Sequence, residues 1–298
     1  MKPVVISLLL VCVLTGCKSA TSKVERPLSV NGGIIDTNGP IAEANELAPP
    51  TPKKFPRRKL PALFIVGDST VHNAAPGLLG WGDVLSRYFD TNKIIVENHA
   101  RPGRSSRTFQ TQGWWTNILA AAKPGDFVMI QMGHNDGSPI ADTNRARGSL
   151  DGLGEETTNI YNAVRQTAET VHTYGWYMRK YITDARAKGM TVIICSPVPR
   201  LPKTTVTAGF TDPTAYVAWS EEIARSEHVY FISLNHLVLS HYTGLTPEEI
   251  RAQYYTTQDT THFSSNGAEL NARCVIEGLD AMNDRPLDKY RPAPLPPN

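Results

Sequence analysis

The sequence predicts an α/β protein, a three-layer αβα sandwich around a flavodoxin-like five-stranded parallel sheet. Short apolar runs alternate with segments of helical periodicity, which is the pattern of α/β architecture. Within each run the apolar residues follow one another without polar alternation, as in strands covered on both faces. Right-handed crossovers between such strands place helices on either side of the sheet.

The chain begins with a targeting segment. Lys2 supplies a small positive region, and Val4 to Leu14 is an apolar run too short to span a bilayer, so residues 1–16 read as a signal peptide. Leu14-Thr15-Gly16-Cys17 is similar to a bacterial lipobox, with Cys17 as the lipidated first residue of the mature chain. The other reading is a plain signal peptide with an incidental cysteine. The residue after Cys17 is Lys18 rather than Asp, which points to the outer membrane in a Gram-negative host. The expected location is therefore an exported, membrane-anchored lipoprotein of the periplasm or cell surface. Residues 17–60 are polar and carry Pro49, Pro50, Pro52 and Pro56 before Arg57-Arg58-Lys59, the composition of an extended tether.

The first strand is Leu63 to Val66, the second Ile94 to Val96 and the third Phe127 to Ile130. A long insertion of no evident role, Ser138 to Thr170, precedes a helix from Tyr174 to Lys188 that Gly189 stops. Thr191 to Ile194 is the fourth strand and Val229 to Ile232 the fifth, in the preferred order 2-1-3-4-5. The last helix is expected to start near Asn266 with Glu269 as its N3 partner, and it carries Leu270, Val275, Ile276 and Leu279. The catalytic domain is expected over 61–285 and a Pro-rich tail over 286–298.

Composition narrows the function classes. Hydrophobic residues make up 41% and charged residues 19% of the 298, which suits a folded core. The formal net charge is +2, with no long basic run, so no nucleic-acid partner is expected. Cys12 leaves with the signal and Cys17 is the acylation candidate, so Cys195 and Cys274 remain. Two buried thiols are the favoured reading, with a disulfide as the alternative in an export compartment. No metal-ligand Cys/His spacing is present.

Gly67-Asp68-Ser69 follows the first strand, Gly103 the second and Gly133-His134-Asn135-Asp136 the third; Asp259-Thr260-Thr261-His262 precedes the last helix. Loops at the carboxyl ends of parallel strands meet in one crevice. A serine hydroxyl needs a base, and His262 can serve Ser69 if Asp259, three residues earlier, orients its ring. Acyl transfer also needs oxyanion donors, which the Ser69 and Gly103 N–H groups and the Asn135 amide can supply. Each piece alone has a plain structural reading: a helix cap for Ser69, turn residues for Gly103 and Asn135, a solvent-facing turn for Asp259 and His262. His134 carries no assigned chemical role.

Taken together, these four segments resemble the blocks of the SGNH (GDSL) hydrolases, in the same order and over roughly residues 61–285. Within that superfamily, Gly80-Trp81-Gly82-Asp83, Arg101 to Arg107, Tyr177 to Ile182 and Ser196-Pro197-Val198-Pro199-Arg200 are similar to rhamnogalacturonan acetylesterases. The resemblance implies an esterase that removes acetyl groups from pectic polysaccharide without metal or cofactor. It implies catalytic roles for Ser69, Gly103, Asn135, Asp259 and His262. Alternatives are an esterase of the same superfamily acting on xylan-type glycan, lipid or thioester, and a non-catalytic glycan-binding lipoprotein. No Gly-x-Ser-x-Gly elbow or phosphate-binding glycine loop is present. Arg101, Arg104 and Arg107 flank Gly103 and suit carboxylate recognition, or equally structural ion pairs. Trp81, Trp114, Trp115 and Trp219 are candidates for sugar stacking or, individually, for core packing.

Overall fold

The first apolar run becomes β1 (Ala62–Val66), and none of these residues has any solvent exposure. Its alternate side chains serve two cores. Leu63 and Ile65 point into one, Ala62, Phe64 and Val66 into the other. A strand can be apolar throughout only when both faces are covered. The computed structural model in which this is seen describes residues 59–211, 214–256 and 259–292. The signal segment 1–16, Cys17 and the tether up to residue 58 lie outside the described residues.

The other strands of the main sheet are β2 (Ile95–Asn98), β3 (Phe127–Ile130), β6 (Thr191–Cys195) and β7 (Tyr230–Ile232). All pair in parallel, in the order β2-β1-β3-β6-β7. This is the expected flavodoxin-like order once the hairpin described below is set aside. Strand β2 starts at Ile95 rather than Ile94; Ile94 is instead fully buried, its N–H bonded to the Asp90 carbonyl.

On one face lie the short helix α1 (Trp81–Val84), α6 (Leu234–His241), α7 (Pro247–Tyr254) and the long α8 (Ser265–Asp280). On the other lie α2 (Ser106–Thr111), α3 (Trp114–Ala121), α4 (Tyr174–Ala187) and α5 (Ala215–Ser226). The expected three layers are present. Helix α4 ends where Gly189 takes a left-handed φ of 72°, a conformation that a residue with Cβ adopts only under strain.

Two expectations are corrected, and the insertion gains a structure. Helix α8 is capped by Ser264, whose hydroxyl accepts from the Gly267 N–H. Glu269 therefore does not cap it; its carboxylate accepts from Tyr88 Oη (2.5 Å) and Arg87 Nη1 (3.2 Å). Packing also runs past residue 285. Leu287 is buried, and the Tyr290 ring meets Phe127 edge-on at 5.6 Å. The insertion after β3 contains an antiparallel hairpin, β4 (Thr157–Asn162) and β5 (Thr167–His172). Its β4 alternates exposed and half-buried residues, the signature of a strand with one wet face. Cys195 and Cys274 are both buried free thiols.

Candidate active site

The site is built at the carboxyl ends of β1, β2 and β3, with the turn before α8 supplying the fourth segment. After β1 the chain turns sharply through Gly67-Asp68-Ser69. A Cβ on Gly67 would lie 2.4 Å from Val71 Cγ2, so the turn needs glycine. Asp68 is wholly buried, and its Oδ1 accepts from both the N–H and the hydroxyl of Thr70 at 2.8 Å. This fixes the backbone on either side of Ser69, which keeps 7% exposure.

The segment after Ser69 is held by Asp83 at the start of α1. Its carboxylate accepts from His72 Nδ1 (2.6 Å), Asn73 N–H (3.0 Å), Gly80 N–H (2.8 Å) and Asn98 Nδ2 (2.9 Å). Burial pushes the Asp83 carboxyl up, but the His72 bond and the two backbone N–H groups outweigh it and hold it below the usual carboxylate range. The sequence reading missed this brace because its partners are scattered over 26 positions between His72 and Asn98.

The second and third loops are tied to the first. Arg101 N–H donates to the Gly67 carbonyl at 2.9 Å. Gly103 follows with φ 74°, a left-handed turn that glycine makes without strain. Asn135, 8% exposed, donates from Nδ2 to the Arg104 carbonyl at 2.8 Å, which joins the third loop to the residue after Gly103. The neighbouring Asp136 is fully buried and accepts from the Ser106 N–H (3.0 Å), the Ser106 hydroxyl (2.5 Å) and the Ser149 hydroxyl (3.2 Å). Burial, together with the nearby negative charge of Asp68, pushes the Asp136 carboxyl up to about 7 in spite of the Ser106 and Ser149 hydrogen bonds.

The fourth segment is a tight turn. Asp259 Oδ1 accepts from the N–H groups of Thr261 (2.7 Å) and His262 (2.8 Å), while Oδ2 meets His262 Nδ1 at 2.7 Å. Next in the chain, the fully buried Phe263 bridges to Leu79 and Tyr255 and anchors the turn. Burial pushes the Asp259 carboxyl up, but the bonds from the His262 ring and from the His262 and Thr261 N–H groups outweigh it. They hold it well below the usual carboxylate range. The other ring nitrogen, His262 Nε2, lies 2.7 Å from Ser69 Oγ. With Asp259 fixing the Nδ1–H tautomer, Nε2 is the nitrogen left to accept a proton.

Ser69, His262 and Asp259 thus form one hydrogen-bonded line, and Gly103 and Asn135 sit on loops bonded to the Ser69 turn or to each other. For two of the arginines beside Gly103 the structure favours the structural reading. Arg107 is fully buried: Nε pairs with Glu169 Oε1 at 2.7 Å, and Nη1 donates to the Ile140 (3.0 Å) and Gly148 (2.8 Å) carbonyls. Arg104 is 4% exposed and donates to the Pro102 carbonyl. Both brace loops instead of facing substrate. Arg101 lies over the Trp114 ring, 4.5 Å from its centroid. Trp81 and Trp115 are core residues, with Trp81 Nε1 donating to Gln131. Trp219 packs against Tyr174 and Tyr216.

Among the described residues, His241, Cys274 and Glu277 are the one group of three metal-ligating types found together. They lie on α6 and α8, outside the Ser69–His262 line. Burial and the Glu277 charge push the Cys274 thiol up to about 12, which disfavours the thiolate that a metal needs.

Comparison with known proteins identifies the family. The model of the GDSL-like lipase/acylhydrolase family matches residues 65–270. A rhamnogalacturonan acetylesterase of Emericella nidulans is 30% identical over 74% of this chain and 87% of its own. A probable rhamnogalacturonan acetylesterase of Bacillus subtilis, YesY, is 29% identical over 74% of this chain and 93% of its own. The crystal structure of the Bacillus subtilis protein YxiM superposes with a TM-score of 0.59 at 28% identity, over 74% of this chain and 56% of that one. The chain belongs to the GDSL-like lipase/acylhydrolase family and is an ester-hydrolysing enzyme.

Proposed function

We propose that the enzyme is a carbohydrate esterase that removes O-acetyl groups from a plant cell-wall polysaccharide, rhamnogalacturonan, through an acyl-enzyme on Ser69. The observation that carries the mechanism is the unbroken line Ser69 Oγ–His262–Asp259, with 2.7 Å at each contact. The substrate is supported by relatives named as acetylesterases of that polymer.

His262 Nε2 takes the Ser69 proton as Oγ attacks the acetyl carbonyl. Asp259 stabilises the imidazolium that forms. The oxyanion develops toward the Ser69 and Gly103 N–H groups and the second amide proton of Asn135, whose first is committed to Arg104. Collapse expels the sugar oxygen, which takes the proton from His262. Water then gives its proton to Nε2 and attacks the acetyl-serine. Acetate leaves, and Ser69 recovers its proton.

The test compares acetate release from acetylated rhamnogalacturonan, acetylated xylan and a short fatty ester. The pectic polymer is expected to be preferred, with turnover abolished in Ser69→Ala and His262→Ala. Preference for xylan or the fatty ester would reject the substrate and spare the mechanism; an active Ser69→Ala would reject the mechanism.

The same proposal places the enzyme outside the cytoplasm on a lipid anchor at Cys17, supported by the Leu-Thr-Gly-Cys pattern at 14–17. Incorporation of a labelled lipid precursor, lost in Cys17→Ala, is the expected result.

A further inference from the structure

Arg200 lies in the loop that follows β6, and its guanidinium spans two of the site segments. Nη1 donates to Thr261 Oγ1 at 2.8 Å and Nη2 to the His134 carbonyl at 3.2 Å. Thr261 is the residue before His262, and His134 is the residue before Asn135. The cation is therefore bonded to the immediate neighbours of the candidate base and of an oxyanion donor. Its side chain is exposed. Most other arginines have a carboxylate partner, as Arg107, Arg179, Arg186 and Arg225 do. Among the described residues, Arg200 has none.

An exposed guanidinium with no counter-ion among the described residues, held by two bonds beside the candidate base and oxyanion donor, is a ready carboxylate receptor. Its planar fork matches a carboxylate in two parallel hydrogen bonds, and a fixed side chain loses little freedom on binding. The two bonds to protein use only part of its five N–H donors. Arg104 and Arg107 do not compete for this role, since both are buried against backbone carbonyls.

We propose that Arg200 is a specificity-determining residue that binds a uronate carboxylate of the polysaccharide next to the ester being cleaved. The proposal rests on the esterase reading above and adds to it the charge of the substrate. If Arg200 only clamps the two loops, it supports every substrate alike.

The experiment measures kcat/KM for acetylated rhamnogalacturonan and for the same polymer with its carboxyl groups reduced to alcohols. It uses the wild type, Arg200→Gln and Arg200→Lys, with 4-nitrophenyl acetate as a reference ester. The wild type should favour the carboxylate form by about tenfold, the scale of one charge-assisted hydrogen-bonded pair. Added salt should reduce that ratio. Arg200→Gln should bring it near one, and Arg200→Lys should keep part of it, since the charge remains but the fork is lost. The ratio is taken within one preparation, so a partly unfolded variant does not distort it. A wild-type ratio near one, or an equal loss on both polymers in Arg200→Gln, would overturn the proposal. Hydrolysis of 4-nitrophenyl acetate without acetate release from either polymer would overturn the polysaccharide reading and the proposal with it.

Discussion

Asn135 Nδ2 donates to the carbonyl of Arg104 at 2.8 Å. One amide proton is thereby spent on holding the third loop to the second, and the amide plane is fixed with its other proton free to meet an oxyanion. The same contact joins the two proposed oxyanion donors Asn135 and Gly103, since Arg104 follows Gly103 directly.

Asn135→Ala should lower kcat by about 10²–10³-fold with a smaller change in KM, because the lost bond forms fully only in the transition state. Steady-state kinetics on 4-nitrophenyl acetate check this. A change confined to KM would remove Asn135 from the oxyanion site.

Asp259→Asn should reduce kcat by roughly 10⁴-fold, since an amide favours the wrong imidazole tautomer. It should also show a pH-dependent stability loss. The Asp259 carboxyl is held well below its ordinary value, so its contribution is complete above the unfolded value of about 3.9 and fades as pH falls toward the folded one. The melting-temperature gap between wild type and variant should be widest near neutrality and should shrink below about pH 4.

Asp136 titrates with the opposite sign. Its folded value of about 7 lies above the unfolded value of about 3.9. Between the two, the native state holds a proton that the unfolded state has released, so stability falls as pH rises. Asp136→Asn mimics the protonated form and does not titrate. Its melting temperature relative to wild type should climb between about pH 4 and 7, and a constant difference would show that Asp136 stays ionised.

Glu169→Ala should cost about 3–5 kcal/mol, because it strands the fully buried Arg107 without its counter-ion. Denaturant unfolding measures it. The same variant tests the hairpin's role, since Glu169 lies on β5 and Arg107 on α2, one turn beyond Gly103.

The sheet was legible because its central strands are near-continuous apolar runs; right-handed crossovers put helices on both faces but leave several strand orders open, of which the preferred flavodoxin-like one is observed. The hairpin was not. β4 and β5 are Thr-, Asn- and Glu-containing strands with exposed positions, and nothing in Ser138 to Thr170 separates such strands from loop. The capping of α8 was misplaced by two residues because Glu269, spaced as an N3 partner for Asn266, instead finds a tertiary partner in Tyr88. The arginines around Gly103 were ambiguous for a general reason. A charged residue in a loop reads the same whether its partner is a ligand or a carboxylate 62 positions away, as Glu169 is from Arg107.

The sequence by itself determined the layer architecture and the residue types available at each strand end, because both are set by local pattern: apolar runs, turn glycines, and Asp259 three residues before His262. Only the tertiary structure decided that His262 meets Ser69 across 193 residues, that Asn135 is locked to Arg104, and that Arg104 and Arg107 are buried while Arg200 stays exposed. Those are distances between segments that no local pattern encodes, and they arise only when the burial of both sheet faces brings the loops to one end.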